Sequence, residues 1–390
     1  MEFRYAKQED TPQIKALWAY SFEEPGPYFD WYFNRIYQPD YTLCAIEDGV
    51  ITASLQFAPY LINLRSSVLQ ANFLVGVNTL AGMRGKGHGK ALMAEALKEA
   101  AQNHTGILLL KPTAPNFYRK TGFEFCYSEL QWQLPLVNIA STRAQGWWQE
   151  VNITDANHLH LLNQVYLEMM HGQNAYTVRN NENWLYLLNE LKAHNGHAWL
   201  MMQDGLPKAY ILYYMDKQTK VLEAREIGFT DHHARNEALS FAAEHRNQLN
   251  TLAWNAMPAD IAYLELAHLN QPVFSPSVMA RVNSLTEVLA AISYPPLNSE
   301  VILEITDAAA PWNAGRWKLT VEDCRGKIAP AKDEEETEVK LDIADLTCLV
   351  FGYLNPWQLM KNGKLEGDLP AISRLAKIFP PAHNYMGQYV

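Results

Sequence analysis

The densest chemical signal in the chain is residues 75–91, Val-Gly-Val-Asn-Thr-Leu-Ala-Gly-Met-Arg-Gly-Lys-Gly-His-Gly-Lys-Ala. An apolar strand runs into a glycine-dense loop and then into an amphipathic helix. Unpaired backbone N–H groups and the positive end of the helix converge at such a turn, and that geometry binds phosphates. A Walker loop needs four residues between its glycines and a Ser or Thr after its lysine. Here three residues separate Gly85 from Gly89 and Ala91 follows Lys90, so no hydroxyl is placed for magnesium. A dinucleotide fingerprint needs Gly-x-Gly-x-x-Gly near the start of a βαβ unit. Gly85, Gly87 and Gly89 alternate instead and follow several strands. The pattern that remains is Arg84-x-x-Gly87-x-Gly89.

That loop resembles the Arg/Gln-x-x-Gly-x-Gly/Ala loop of the GNAT acetyltransferases. Downstream, Phe117-Tyr118-Arg119-Lys120-Thr121-Gly122-Phe123 resembles the Phe-Tyr-x-Lys-x-Gly-Phe segment that closes a GNAT fold. The resemblance implies that Arg84, Gly85, Lys86, Gly87, His88, Gly89 and Lys90 hold the pyrophosphate of acetyl-coenzyme A, a co-substrate. It also implies a thioester carbonyl polarised by a backbone amide at Val77 or its neighbours Asn78 and Thr79. His88 reads equally well as a filler of the loop. Tyr118 is the candidate acid: a phenol with an ordinary pKa near ~10 keeps its proton at neutral pH and can give it to a leaving thiolate. The competing reading is a core aromatic beside Phe117.

Around these residues the chain alternates strands and helices. A helix over 11–22 precedes two strands over 41–47 and 50–59, hinged on Asp48-Gly49, a hairpin pair. A strand over 71–79 leads to the loop, and Leu92, Met93, Ala96, Leu97 and Ala100 share one face of the next helix. A short apolar strand over 106–110 and a helical turn over 115–120 follow. Residues 147–283 repeat this grammar, with Glu226-Ile227-Gly228-Phe229 standing where Leu74-Val75-Gly76-Val77 stood. The glycine loop is missing there, replaced by Thr230-Asp231-His232-His233-Ala234-Arg235. From Ser284 the pattern changes to a helix, strands over 300–306, 315–321 and 338–341, and helices over 344–351 and 371–378.

The predicted fold class is therefore α+β, of the α/β type found in GNAT proteins. It comprises an N-terminal GNAT domain over 1–145, a degenerate GNAT-like domain over 146–284 and a C-terminal α/β domain over 285–390. This arrangement resembles the Eis (enhanced intracellular survival) acetyltransferases, whose third domain is similar to sterol-carrier proteins. Looser matches are Arg179-x-x-x-x-Trp184, Met279-Ala280-Arg281-Val282 and Phe379-Pro380-Pro381. The family resemblance implies a base supplied by the chain's own terminal carboxylate, here on Val390, although relatives tend to end in an aromatic residue. It also implies a homo-oligomer, a hexamer. A multi-amine acceptor such as an aminoglycoside or polyamine calls for acids and rings. Glu23, Glu24 and Trp31 stand where GNAT proteins build the acceptor wall, while Phe29, Trp31 and Phe33 also read as helix core.

Lys plus Arg number 32 and Asp plus Glu 42, a net charge of −10 that disfavours nucleic acid and anionic membrane surfaces. An apolar fraction of 48% with 11 Trp, 20 Tyr and 14 Phe supplies several cores. The opening residues carry no export signal, no apolar run reaches the ~18 residues of a membrane span, and a cytoplasmic location is expected. Cys44, Cys126, Cys324 and Cys348 lie far apart with no Cys/His spacing for zinc, so no metal is expected. Two other functions remain open: a lipid or hydrophobic-ligand carrier with vestigial acetyl transfer, and a protein lysine acetyltransferase.

Overall fold

A computed structural model of the chain describes residues 1–22, 26–142, 145–264 and 271–387. The N-terminal third contributes β1 (Glu2–Tyr5), α1 (Thr11–Phe22), α2 (Pro27–Arg35), β2 (Thr42–Glu47), β3 (Val50–Leu64), β4 (Ser67–Thr79), α3 (His88–Gln102), β5 (Ile107–Leu110), α4 (Pro115–Arg119) and β6 (Glu124–Phe125). Two tight turns set its sheet. Asp48 and Gly49, at φ 51° and 76°, join β2 to β3 in the left-handed pair that a two-residue hairpin requires. Arg65 and Ser66, at φ 52° and 60°, do the same between β3 and β4. No turn signal marks Arg-Ser, and the sequence reading accordingly ends the strand early, at residue 59. Tertiary contacts hold the strained pair: Arg65 Nε and Nη2 donate to the Val350 and Leu349 carbonyls at 2.9 Å, and its backbone N–H to Asn174 Oδ1 at 2.7 Å.

The first sheet runs β1-β2-β3-β4-β5, then Met279–Val282, then β6, with Tyr176–Thr177 on β3. Leu92, Met93, Ala96 and Leu97 of α3 are fully buried against Leu43, Ala53, Leu55 and Leu74 of the sheet. Each such Leu or Met side chain contributes about 1.5–3 kcal/mol. On the other face Trp18, Tyr32 and Phe33 join a core that continues through Val282 and Leu285 to Leu349, Phe351 and Phe379. The C-terminal sheet runs Arg325–Pro330, Gly315–Glu322, Ser299–Thr306, Val339–Asp342, Leu365–Gly367. It shares that core, and residues 1–127, 174–178 and those from Ser277 onward form one compact unit.

The second unit, 128–173 with 179–276, is built on a sheet of order Val273–Pro276, Ser128–Pro135, Thr251–Ala256, Val221–Phe229, Leu206–Asp216, His197–Gln203, Trp147–Glu150. In both units a long antiparallel pair leads by a crossing helix to a short parallel strand. β4 pairs β5 over Ala71–Phe73, and 221–224 pairs 251–254. The strand beyond the parallel one comes from the opposite half of the sequence: Met279–Val282 in the first sheet and Ser128–Pro135 in the second.

Candidate active site

The loop folds as its glycines dictate. Gly85 and Gly87 take φ 77° and 92°, a region L side chains rarely adopt, and a Cβ on either would meet nothing. Gly87 is the N-cap of α3 and offers no side chain to it, so the amides of His88, Gly89 and Lys90 are left for another acceptor. They open onto a cavity of about 390 Å³ lined by Thr79, Met83, Arg84, Gly85, Gly87, His88, Gly89, Lys90, Phe117, Lys120 and Thr121. In a chain of net charge −10, three cations and no acid line this cavity. Together with the helix end, they make it an anion site. Arg84 is steadied by Nε donating to the Thr79 carbonyl at 3.2 Å and by the Tyr20 ring 5.5 Å away.

Behind the loop, β4 and β5 separate. Their parallel pairing stops at Phe73 with Leu109, while β4 continues to Thr79 past a bulge opposite Ser54–Gln56. Gly76 sits in that bulge at φ 60°, and a Cβ there would lie 2.1 Å from the Trp18 ring. The β4 edge that faced β5 is therefore released over 74–79, where an extended ligand with amides of its own can pair.

Of the sequence-predicted cofactor residues, Arg84, Gly85, Gly87, His88, Gly89, Lys90 and Thr79 line one cavity. Lys86 lies outside that lining, its ammonium 3.9 Å from Met83 Sδ. Val77 packs against the α3 core, and Asn78 is buried with its Oδ1 accepting from Ser54 Oγ at 3.0 Å. His88 is a cornerstone of the loop: its buried ring puts Nδ1 2.8 Å from Thr52 Oγ1 and Nε2 3.6 Å from Glu47 Oε2. Tyr118 is 6% exposed, set edge-on to Phe117 and Phe123 beneath α3, and burial pushes its phenol up to about 12. Phe117, its neighbour, reaches the cavity wall.

Trp31 is half-buried on α2 beside Tyr28 and packs on the core, as the helix-core reading has it. Glu23, Glu24 and Val390 lie outside the described residues. Met83, Phe117, Lys120 and Thr121 were not singled out by sequence reasoning, although Lys120 stands in the Phe-Tyr-x-Lys-x-Gly-Phe segment. On the face of α1 and α2, Tyr32 donates to Gln56 Oε1 at 2.6 Å beside the Ser54–Asn78 pair, a buried neutral polar lining with no sequence signal.

Families of known proteins agree with this geometry. Residues 2–126 and 175–282 each match an Acetyltransferase (GNAT) domain, and residues 285–387 match a Sterol carrier protein domain. The chain belongs to the GNAT acetyltransferases. No curated protein sequence matches it. Among solved structures, a GCN5-related N-acetyltransferase from Anabaena variabilis superposes with a TM-score of 0.90 at 21% identity over 100% of both chains. A probable N-acyltransferase from Enterococcus faecalis gives 0.90 at 20% identity over 100% of this chain and 99% of its own. Eis1 from Mycobacterium abscessus gives 0.79 at 14% identity over 100% of both. The fold of this acetyltransferase is thus Eis-like, with two GNAT domains followed by a sterol carrier domain.

The second GNAT domain has lost the anion cradle. Asp231 caps the helix His232–Ala243, its Oδ1 accepting the Ala234 N–H at 2.9 Å. Burial opposes its charge, but that amide and Lys208 keep the carboxyl below its usual range. A carboxylate therefore occupies the helix end that no side chain caps in the first domain. On the sterol carrier domain, a groove of about 940 Å³ is lined by Glu300, Lys318, Glu335, Glu338, Lys340 and Arg374 among others. Within it Lys318 pairs with Glu300 and Glu335 at 3.0 and 2.9 Å. Among the described residues no metal-binding cluster occurs, and no helix is long and apolar enough to cross a membrane.

Proposed function

We propose that the chain is an acetyl-coenzyme-A-dependent N-acetyltransferase of a multi-amine small molecule, aminoglycoside- or polyamine-like. The observation that carries this reading is the acid-free, cation-lined cavity at the uncapped end of α3, which opens beside the released edge of β4. Its groups fit acetyl-coenzyme A, which supplies an activated thioester when bound. The amides of 88–90 with Arg84, Lys90 and Lys120 would hold the pyrophosphate, Lys86 adding its charge from outside the lining, and the edge from Val77 to Thr79 would pair the pantetheine amides and polarise the acyl carbonyl. His88 would serve through its backbone, its ring fixing the loop to Thr52. Tyr118 would give the leaving sulfur its proton.

The base in this reading is the terminal carboxylate of Val390. What supports it is the way the tail is held. Asn174 N–H donates to the His383 carbonyl at 2.7 Å and Asn384 Nδ2 to the Cys126 carbonyl at 2.7 Å. Met386 is buried in the same core as Trp18, Tyr32 and Tyr60, on the α1 and α2 face where an acceptor would approach. Glu23, Glu24 and Trp31 are proposed to meet the acceptor there. Removing Val390 moves the carboxylate back one residue and should depress turnover; unchanged turnover would withdraw that role. The same reading divides the chain into domains at 1–145, 146–284 and 285–390 and has it act in the cytoplasm as a homo-oligomer.

The test is thiol release from acetyl-coenzyme A against aminoglycosides, polyamines and lysine peptides, with product masses recorded. Amine-dependent release with acetyl mass gains on a small amine is expected. Release with peptides alone would move the acceptor to protein lysine, and no amine-dependent release would sink the transferase reading.

A further inference from the structure

We propose that Arg281 is a positioning residue for the cofactor cavity, through which the C-terminal domain holds the turn that follows Tyr118. The inference rests on the acetyltransferase reading of that cavity. Arg281 lies on Met279–Val282, the strand between β5 and β6, and is 0% exposed. Its Nη1 donates to the Thr121 carbonyl at 2.6 Å, and its Nη2 to Asp307 Oδ2 at 2.5 Å. Thr121 lines the cavity, and its own N–H donates to the Tyr118 carbonyl at 2.9 Å. One guanidinium therefore ties the end of α4, with Phe117, Tyr118 and Lys120 on it, to a carboxylate of the C-terminal domain.

That carboxylate is itself fixed. Asp307 Oδ1 accepts the N–H groups of Ala309 and Ala310 at 3.2 and 3.0 Å, and Oδ2 accepts from Asn313 Nδ2 at 2.9 Å. The turn after α4 is shaped around the guanidinium: Gly122 takes φ 77°, and a Cβ there would lie 1.7 Å from Arg281 Nη1. A second hold reaches α3 farther along the helix from its cavity end. Asn283 Nδ2 donates to the Leu97 carbonyl of α3 at 2.9 Å, while the Asn283 carbonyl accepts from Asn313 Nδ2 at 3.1 Å and Trp312 Nε1 at 2.8 Å. Both helices that frame the cavity are thus held from residues 307–313.

Stability alone does not explain this arrangement. Burying a guanidinium is costly, and apolar residues of similar volume often replace a buried ion pair without loss of stability. What apolar packing cannot supply is a directional hold on a carbonyl. Displacing a binding or catalytic group by about 1 Å is enough to cost up to ~100-fold in rate.

The experiment compares wild type with the double variant Arg281→Met/Asp307→Asn, which removes both charges together, and with Arg281→Lys. It reads thermal melting, coenzyme A affinity by calorimetry, and kcat and KM for acetyl-coenzyme A. The double variant is expected to melt cooperatively while coenzyme A affinity and kcat/KM each fall at least about tenfold, with Arg281→Lys between it and wild type. Wild-type affinity and kinetic constants in the folded double variant would overturn the proposal and leave an ordinary buried ion pair. If that variant does not fold, the same readouts on Arg281→Lys decide in the same way. If wild type itself releases no thiol on amine addition, the acetyltransferase reading has failed. Calorimetry then decides separately: weaker coenzyme A binding in the variant supports the positioning role, and equal or absent binding in both proteins overturns it.

Discussion

In the proposed mechanism, one burial would give Tyr118 two uses. Its ring completes the core under α3, and the same desolvation raises the phenol to about 12, so it holds its proton across the whole working range. Replacing Tyr118 by Phe keeps the ring and removes only the donor. Turnover is expected to fall about 100-fold or more, with coenzyme A affinity unchanged; wild-type turnover in the variant would return Tyr118 to the core alone. Asp345 shows burial acting without a catalytic use. Burial lifts its carboxyl from 3.8 to about 6, helped by Asp342 and Glu124 and opposed by Lys364. The raised folded pKa means the folded state binds more protons than the unfolded one over this interval, so stability falls as pH rises from about 4 to about 6. Asp345→Asn should therefore match wild type near pH 4 and exceed it by about 1–2 kcal/mol at pH 7, after discounting for solvent screening. Denaturant titrations at the two pH values read this directly, and a constant difference would refute the assignment.

At the scale of elements, the sequence was most legible where backbone chemistry is local. Asp48-Gly49 gave its hairpin, and the spacing of Leu92, Met93, Ala96, Leu97 and Ala100 gave the buried face of α3. Legibility failed where distant groups decide. Nothing in Arg65-Ser66 announces a tight turn, because the Leu349 and Val350 carbonyls that hold it lie far along the chain. Arg179 and Arg281, noticed only as loose matches, prove to be fully buried charges whose partners Glu226 and Asp307 no local spacing could reveal. The glycine loop is the local case with functional weight. Gly87 needs φ 92° to aim the α3 amides, and an Ala side chain would meet open space, so any cost of Gly87→Ala is conformational rather than steric. That cost should be about 1–2 kcal/mol of stability. Coenzyme A affinity should weaken about five- to tenfold as the helix end turns. Gly82→Ala, also in open space but at an ordinary φ, should change neither, and equal effects at the two positions would discount the cradle.

Across the whole molecule, the two GNAT domains share an architecture and differ at the helix end. Each unit has an aromatic ring over a strand glycine, Trp18 over Gly76 and Tyr210 over Gly228, and each has the short parallel pairing earlier on that strand. What changed is charge. In the second unit, Glu226 is a fully buried acid on the strand that leads to the helix His232–Ala243. It is locked by Arg179 through paired bonds of 2.6 and 2.7 Å and by the Tyr210 hydroxyl. The Tyr166 and Trp184 rings cover that guanidinium at 4.0 and 4.7 Å. Asp231 on the helix end then places an acid where an anionic cofactor would need free amides. Removing Glu226 as Gln would strand a buried guanidinium and is a test of folding, costing about 3–5 kcal/mol. The test of function is stoichiometry. Calorimetric titration with coenzyme A should give one site per chain, weakened together with activity by changes around Gly87 and indifferent to Asp231→Asn. Two equivalent sites per chain would mean that the second cradle still works, and the acidic lock would then need a different explanation.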